Sequence, residues 1–397
     1  MFVAPLVVLA VGTYLVLSAD QSSGAPKIAP GVTGGAFHPV AGGFVPDDTA
    51  LAECGGDYAC LQQAFGNIAF RRGARPALEL FETQMQSNES VRADCHRIVH
   101  TIGSAAFARY DENVARSFSV GSPTCASGYY HGILERAFVG LGTRGELIEV
   151  ARSLCAESGI RRRGFLDYQC QHGLGHGLMI QTGYDLPLAL ATCARLPTGW
   201  DDVACSGGVF MENATTRFGF RSSWLSEEDP LAPCERIPRQ NRRSCYLRAA
   251  VRILELNGND FASAARTCLG LARPWARACL RGYGREVVGA ARYAPGKILS
   301  LCRLSGASAG DCLYGAARTV GDGTGSDGVL RAAKLCRSAP PSERGACFSG
   351  LGVVVGLLYP TNATRRRACA EISGSELRSC TQAAIAEVDP SGRGAWG

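Results

Sequence analysis

The chain has 397 residues, 46% of them hydrophobic, a net charge of +6 and eighteen cysteines. That is ample for a sizeable core, and so many cysteines, even in number and without a single C-x-x-C knuckle, argue against a reducing compartment and for disulfides. The basic excess is mild and almost all arginine, and Arg161-Arg162-Arg163 and Arg365-Arg366-Arg367 lack interleaved aromatics. They are expected at solvated helix ends or turns, and nucleic acid is excluded as a partner.

At the start of the chain, Phe2 to Leu17 are apolar or neutral. No basic residue precedes them, and Leu17 is a poor −3 residue for cleavage after Ala19. Residues 1–19 therefore read as a membrane anchor in preference to a cleaved signal peptide. Either places the folded body on the extracytoplasmic side, membrane-anchored or secreted. Residues 20–50, rich in Gly, Ala, Pro and Ser, read as a flexible linker, in which His38 is incidental.

Beyond residue 51 the chain is expected to be helical and repetitive: N-terminal repeats over 51–215, then disulfide-stapled repeats over 216–388. Cysteine pairs fall at Cys155/Cys170, Cys193/Cys205, Cys234/Cys245, Cys268/Cys279, Cys302/Cys312, Cys336/Cys347 and Cys369/Cys380. The first members recur at 234, 268, 302, 336 and 369, the length of a two-helix repeat. Each first cysteine ends an Ala/Leu-rich segment, helix A. A loop follows, and the second cysteine opens helix B, usually with x-x-Gly behind it, as at Gly282, Gly315 and Gly350. A bridge across the loop staples the hairpin, worth roughly 3 kcal/mol in the loop-entropy model. A glycine one turn into a helix costs about 1 kcal/mol against alanine, so its recurrence implies close helix–helix approach. Cys54 and Cys60 form a shorter version. Cys95 and Cys125 each open a helix B without an upstream partner and are expected to pair with each other, giving nine bridges.

In architecture this all-α pattern resembles the tetratricopeptide and Sel1-like repeat superfamily over about residues 54–385, without the Trp-Leu-Gly-Tyr pattern of a tetratricopeptide repeat. The resemblance implies a right-handed α-solenoid, or its closed α/α toroid variant, with a concave face suited to a protein or peptide partner.

Five of the six histidines lie in three consecutive helices B: His96 and His100, His131 with Glu135, and His172 and His176. Each pair is spaced i, i+4 and so shares a helix face. Later repeats keep the cysteines and the glycine but carry no histidine, so the scaffold does not require them. Four or five imidazoles with one or two carboxylates suit zinc, copper or iron, as one or two ions. The metal set is therefore His96, His100, His131, Glu135, His172 and His176. Glu212, on the fourth helix B, adds a carboxylate. Glu135, Glu212 and Tyr130 are the catalytic candidates, and Tyr129 a further pocket residue. Counting about 100° per residue from each helix-B cysteine puts His131, His172, His176 and Glu135 on one face, but His96 and His100 on another. An insertion over 214–233, with Trp224, reads as either a lid or a surface loop.

No phosphate-cradling loop, nucleophile elbow or dinucleotide fingerprint occurs, which argues against nucleotide chemistry. Three functions remain: a metal-dependent hydrolase or oxidoreductase, a protein-interaction or assembly solenoid with structural histidines, and metal storage or delivery, which would show exposed labile ligands. Non-reducing peptide mapping is expected to recover a Cys95–Cys125 peptide; finding either thiol free would sink that pairing.

Overall fold

The computed structural model describes residues 44–122, 124–139, 141, 143–156, 160–161, 164–214, 222–323 and 327–393. The expected anchor and most of the linker lie outside them. Among the described residues no helix is long and apolar enough to cross a membrane.

The chain is all-helical and builds two layers. The inner layer is a row of the B helices: α1 (Tyr58–Arg72), α4 (Cys95–Arg109), α6 (Thr124–Ala137), α8 (Phe165–Gln181), α10 (Gly199–Ala214), α11 (Arg239–Leu256), α13 (Arg273–Ala290), α15 (Ala309–Gly323), α17 (Pro341–Leu358) and α19 (Leu377–Glu387). Each packs against the next in that order. The A helices cover the row from outside: α2 (Ala74–Ser87), with the short α3 (Glu89–Ala93), then α5 (Val114–Ser119), α7 (Arg144–Leu154), α9 (Leu186–Cys193), α12 (Phe261–Leu269), α14 (Pro295–Cys302), α16 (Gly328–Ser338) and α18 (Asn362–Ser373). Several A helices start where an Asp, Asn or Thr side chain accepts a backbone N–H, as Asp185 does from Leu188 and Asp260 from Ser263. Cys234 is reached from a non-helical segment, so the 222–238 stretch stands where another helix A would be.

All nine expected disulfides are present: Cys54–Cys60, Cys95–Cys125, Cys155–Cys170, Cys193–Cys205, Cys234–Cys245, Cys268–Cys279, Cys302–Cys312, Cys336–Cys347 and Cys369–Cys380. One expectation is corrected. In the regular repeats the second cysteine does not open helix B but lies one to two turns inside it, as Cys279 does in α13. The exception is Cys95–Cys125, which ties the starts of two neighbouring inner helices instead of a helix A to a helix B.

The recurrent glycines explain the tight row. A β-carbon at Gly208 would overlap the His172 carbonyl oxygen; Gly315 stands in the same way over Arg281, and Gly350 over Tyr314. Inner helices thus meet backbone to backbone, with no side chain between them.

The row also curls onto itself. α15 touches α6 and α17 touches α8. Tyr168 of α8, Trp200 and Ala204 of α10, and Leu357 of α17 form a shared apolar cluster. The Trp200 N–H donates to the Pro390 carbonyl at 3.1 Å, fixing the C-terminal tail to α10. Arg161 does not sit at a solvated turn as expected. Its guanidinium grips the buried Asp201 carboxylate at 2.7 and 2.5 Å, and the pairing raises its already high pKa. Arg365 is buried, donating to the Gly356 carbonyl and to Asn362. In both cases a buried acceptor outcompetes water for the guanidinium.

A matched pair of substitutions tests the packing. Gly315→Val is expected to destabilise by about 3 kcal/mol, because the helices must part. Gly289→Ala meets open space and is expected to stabilise by up to about 1 kcal/mol. Urea unfolding of each variant beside the parent reads both.

Candidate metal centre

α8 is buried along nearly its whole length, covered by α6, α10, α9 and α17. Polar side chains on such a helix must find partners inside the protein. His172 and His176 do so with one nitrogen each. His172 Nδ1 faces the Ala204 carbonyl at 3.3 Å, and His176 Nδ1 faces Glu212 Oε2 at 2.7 Å.

The neighbouring helices repeat the arrangement. His96 Nδ1 faces the Cys125 carbonyl at 2.6 Å, and His100 Nδ1 lies 2.9 Å from Glu135 Oε1. In three of the five imidazoles, therefore, Nδ1 hydrogen-bonds a carbonyl or carboxylate acceptor, while His100 Nδ1 makes a close charge contact with the Glu135 carboxylate. For His172 and His176 that favours the Nδ1–H tautomer and leaves the Nε2 lone pair for the interior, whereas one of His96 and His100 must carry its proton on Nε2 to bond the other. His100 Nε2 stands 3.0 Å from His96 Nε2. The Nε2 of His176 has no hydrogen-bond partner.

His131 is different. It is buried, stacked on His176 with ring centroids 4.1 Å apart, and neither of its ring nitrogens makes a hydrogen bond. It is also the shared member of two groups: His96, His100 and His131, and His131, His172 and His176. Within each group one nitrogen per ring lies within 4.8 Å of the others, and each group could hold a metal ion.

Burial disfavours charge on these rings. It lowers the His96 pKa to about 3, helped by neighbouring His100. Burial, reinforced by His176, holds His131 and His172 well below the ordinary value. These three rings are neutral at neutral pH, with lone pairs available.

The expected carboxylates sit one step further out. Glu135 and Glu212 are both buried; Glu212 hydrogen-bonds His176 Nδ1 and so orients that imidazole, and Glu135 lies in charge contact with His100 Nδ1. Glu212 Oε1 also accepts a hydrogen bond from the Tyr184 hydroxyl at 2.7 Å. Burial, with Glu212 beside it, pushes the Tyr184 pKa well up and keeps that donor protonated. The Trp224 indole N–H donates to the Tyr184 carbonyl at 3.1 Å. Residues 222–233 of the insertion thus buttress the chain Tyr184–Glu212–His176 from behind and do not line the cavity in front, as a lid would; 215–221 lie outside the described residues. Tyr130 stands apart from the cluster. Its ring packs with Phe118, Tyr129 and Phe165, and Tyr129 donates to the Ser117 carbonyl at 2.8 Å.

His96 and His100, which the cysteine count placed on another face, join the cluster, and the glycines show why. Gly132 lies over the His100 carbonyl as Gly208 lies over His172. In that register the residues standing where later repeats have their second cysteine are Ile98 and Tyr129, not Cys95 and Cys125. Counted from there, His100, His131 and His172 all occupy the second position onward, and Glu135 and His176 the sixth.

Tyr184 was not foreseen. It lies in the turn after α8, at a positive φ of 65°, outside any helical spacing rule. The cavity of about 540 Å³ that His131 and His172 line was also not foreseen; its far wall carries Arg281, Arg285 and Arg318.

No protein-family profile matches the chain, and no curated protein matches it in sequence. The site must be read from its own geometry.

A carboxylate that hydrogen-bonds the far nitrogen of a metal-binding imidazole typically changes metal affinity 10–100-fold. Glu212→Gln is accordingly expected to weaken zinc binding by about that factor, and Tyr184→Phe by less. Competition against a chromophoric chelator measures both, and equal affinity in Glu212→Gln and the parent would detach Glu212 from the site.

Proposed function

We propose that this exported helical-repeat protein is a metalloprotein, and that the metal serves hydrolytic or oxidative catalysis. His131 carries the reading: a buried imidazole common to two three-histidine groups, with neither nitrogen hydrogen-bonded. An unpartnered buried polar atom costs about 1–3 kcal/mol, so such a ring needs a compensating ligand. His96, His100, His172 and His176 complete the set as ligands through Nε2. Glu135 and Glu212 raise their basicity and fix their orientation.

An all-nitrogen donor set suits zinc or copper better than magnesium or calcium, and admits iron. One ion would take His131 through a single nitrogen. The two three-histidine groups that share His131 would admit a second ion only if His131 also gave up its ring N–H proton. His131 and His172 reach the cavity wall, so a bound ion would face substrate or water from that side. There it would polarise a bound carbonyl or phosphoryl oxygen, or lower the pKa of a water.

Nine disulfides fit an oxidising, extracellular environment. Attachment to a membrane through residues 1–19 remains part of the proposal. An interaction solenoid with purely structural histidines is the competing reading; it would be expected to satisfy His131 internally.

The test is elemental analysis of protein folded in an oxidising compartment, beside a His131→Ala, His176→Ala double variant. About one or two equivalents of zinc, copper or iron are expected, and loss of most of that metal in the variant. A metal-free parent that folds, with a variant of equal stability, would leave the histidines structural.

A further inference from the structure

The wall opposite the histidines is built from the same two repeat positions. In α8 these positions hold His172 and His176; in α13 they hold Arg281 and Arg285, and in α15 Tyr314 and Arg318. The common register follows from the glycines. Gly208 sits on the His172 carbonyl, Gly315 on that of Arg281 and Gly350 on that of Tyr314. Because α15 touches α6, the row brings the arginine-bearing face around to the histidine-bearing one, and both line one cavity of about 540 Å³. That volume suits a small organic molecule.

The charge in that wall is of one predominant sign. Arg248, Arg281, Arg285 and Arg318 line it, against the carboxylates of Glu286 and Asp322. Glu286 Oε1 lies 3.7 Å from Arg285 Nε, and Asp311, outside the wall, is shared between Arg277 and Arg281 at 3.2 and 3.3 Å. Four guanidinium groups thus share this wall with two carboxylates. The Arg281 guanidinium carbon lies over the Tyr314 ring, 3.8 Å from its centroid. That contact fixes the orientation of its N–H fork before any ligand arrives. Arg248 and Arg281 are almost wholly buried, so their charge acts with little screening by water. Arginines converging in an enclosed space recognise planar or tetrahedral oxyanions through paired N–H donors.

We infer that the cavity binds a small oxyanion, a carboxylate or phosphate group, held by Arg281, Arg285 and Arg318 with the rest of the molecule directed at His131 and His172. This names the substrate class of the proposed metal site; it rests on that reading for the reaction, but not for the binding.

The experiment is isothermal titration of the full chain with inorganic phosphate and, separately, with malonate, together with metal analysis of the same samples. The parent is expected to bind one equivalent of at least one of them, and the preferred probe tells phosphate from carboxylate. Arg285→Gln and Arg318→Gln are expected to weaken that binding about tenfold or more at unchanged metal content. Arg285→Lys, which keeps the charge but loses the fork, should fall between. In the His131→Ala, His176→Ala variant the metal goes while oxyanion binding persists. No binding of either probe by the parent, or equal binding by the glutamine variants, overturns the inference and leaves the metal reading standing. Oxyanion binding by a parent that holds no metal supports the inference and removes the metal reading instead.

Discussion

The structure depends on inner helices that approach to backbone contact. Where Gly132, Gly208, Gly315 and Gly350 face a neighbouring carbonyl, no side chain fits between the helices. Each inner helix is left with one stripe free to vary, the stripe facing the cavity, because its flanks and its outer face are committed to packing. Function must be written on that stripe. The early repeats write imidazole there, at His100, His131, His172 and His176, and the later ones write guanidinium and phenol, at Arg281, Arg285, Tyr314 and Arg318. Backbone contact also narrows the row enough for α15 and α17 to return to α6 and α8. Without that return the two kinds of stripe would not share a cavity.

Packing five imidazoles together is unfavourable on its own terms. Burial strips water from each ring, and a hydrogen-bond acceptor inside recovers only part of that cost. The protein supplies a hydrogen-bond acceptor at Nδ1 for three of them, the Cys125 and Ala204 carbonyls and Glu212, and sets the Glu135 carboxylate beside the fourth, His100. It supplies none to His131. A core selected for stability alone would have placed an apolar residue there, as buried Ile133 and Leu134 show on the same helix. The cluster is therefore a local sacrifice of stability, and the neighbouring disulfides offset it. Cys95–Cys125 sits next to His96 in the chain and pins the strand of contacts through which His96 reaches the Cys125 carbonyl.

Helical class, repeat length and eight disulfides were legible in the cysteine spacing, because a bridge across a short loop constrains where two helices can lie; Cys95–Cys125 followed because neither cysteine had an upstream partner. The histidine pairs were legible too, since i, i+4 spacing fixes a shared face. Their common register was not. The cysteine served as the ruler, and in the first two histidine helices the cysteines sit at helix starts, doing a different job. Glycine was the better ruler: it marks the contact itself. Glu135 and Glu212 were recognised as belonging to the site, but spacing cannot tell a carboxylate that would meet a metal from one that meets a ligand's far nitrogen. Tyr184 depends on a turn conformation, and the arginine wall on a contact between α6 and α15 that is distant in sequence. Arginines scattered through an arginine-rich chain look like surface charge until the row closes and turns them inward.

The stapling and the all-nitrogen cluster have a chemical connection beyond rigidity. Thiolate binds zinc and copper more tightly than imidazole does, and eighteen free thiols would scavenge either metal in many geometries. Every cysteine of this chain is in a disulfide. Oxidative folding therefore removes the competing ligands at the same step that locks the helices in register. Imidazole is left as the soft-metal ligand of the folded body, and it is gathered on three adjacent inner helices. A scaffold held by metal–thiolate knuckles could not make that separation between the groups that hold the fold and the groups that hold the ion. Here the cysteines hold the fold, and the histidines that form the candidate metal site stand on the same helices, a few residues apart. The histidine-bearing stripe can then be changed without loss of the scaffold, as the later repeats already show with arginine in the same positions.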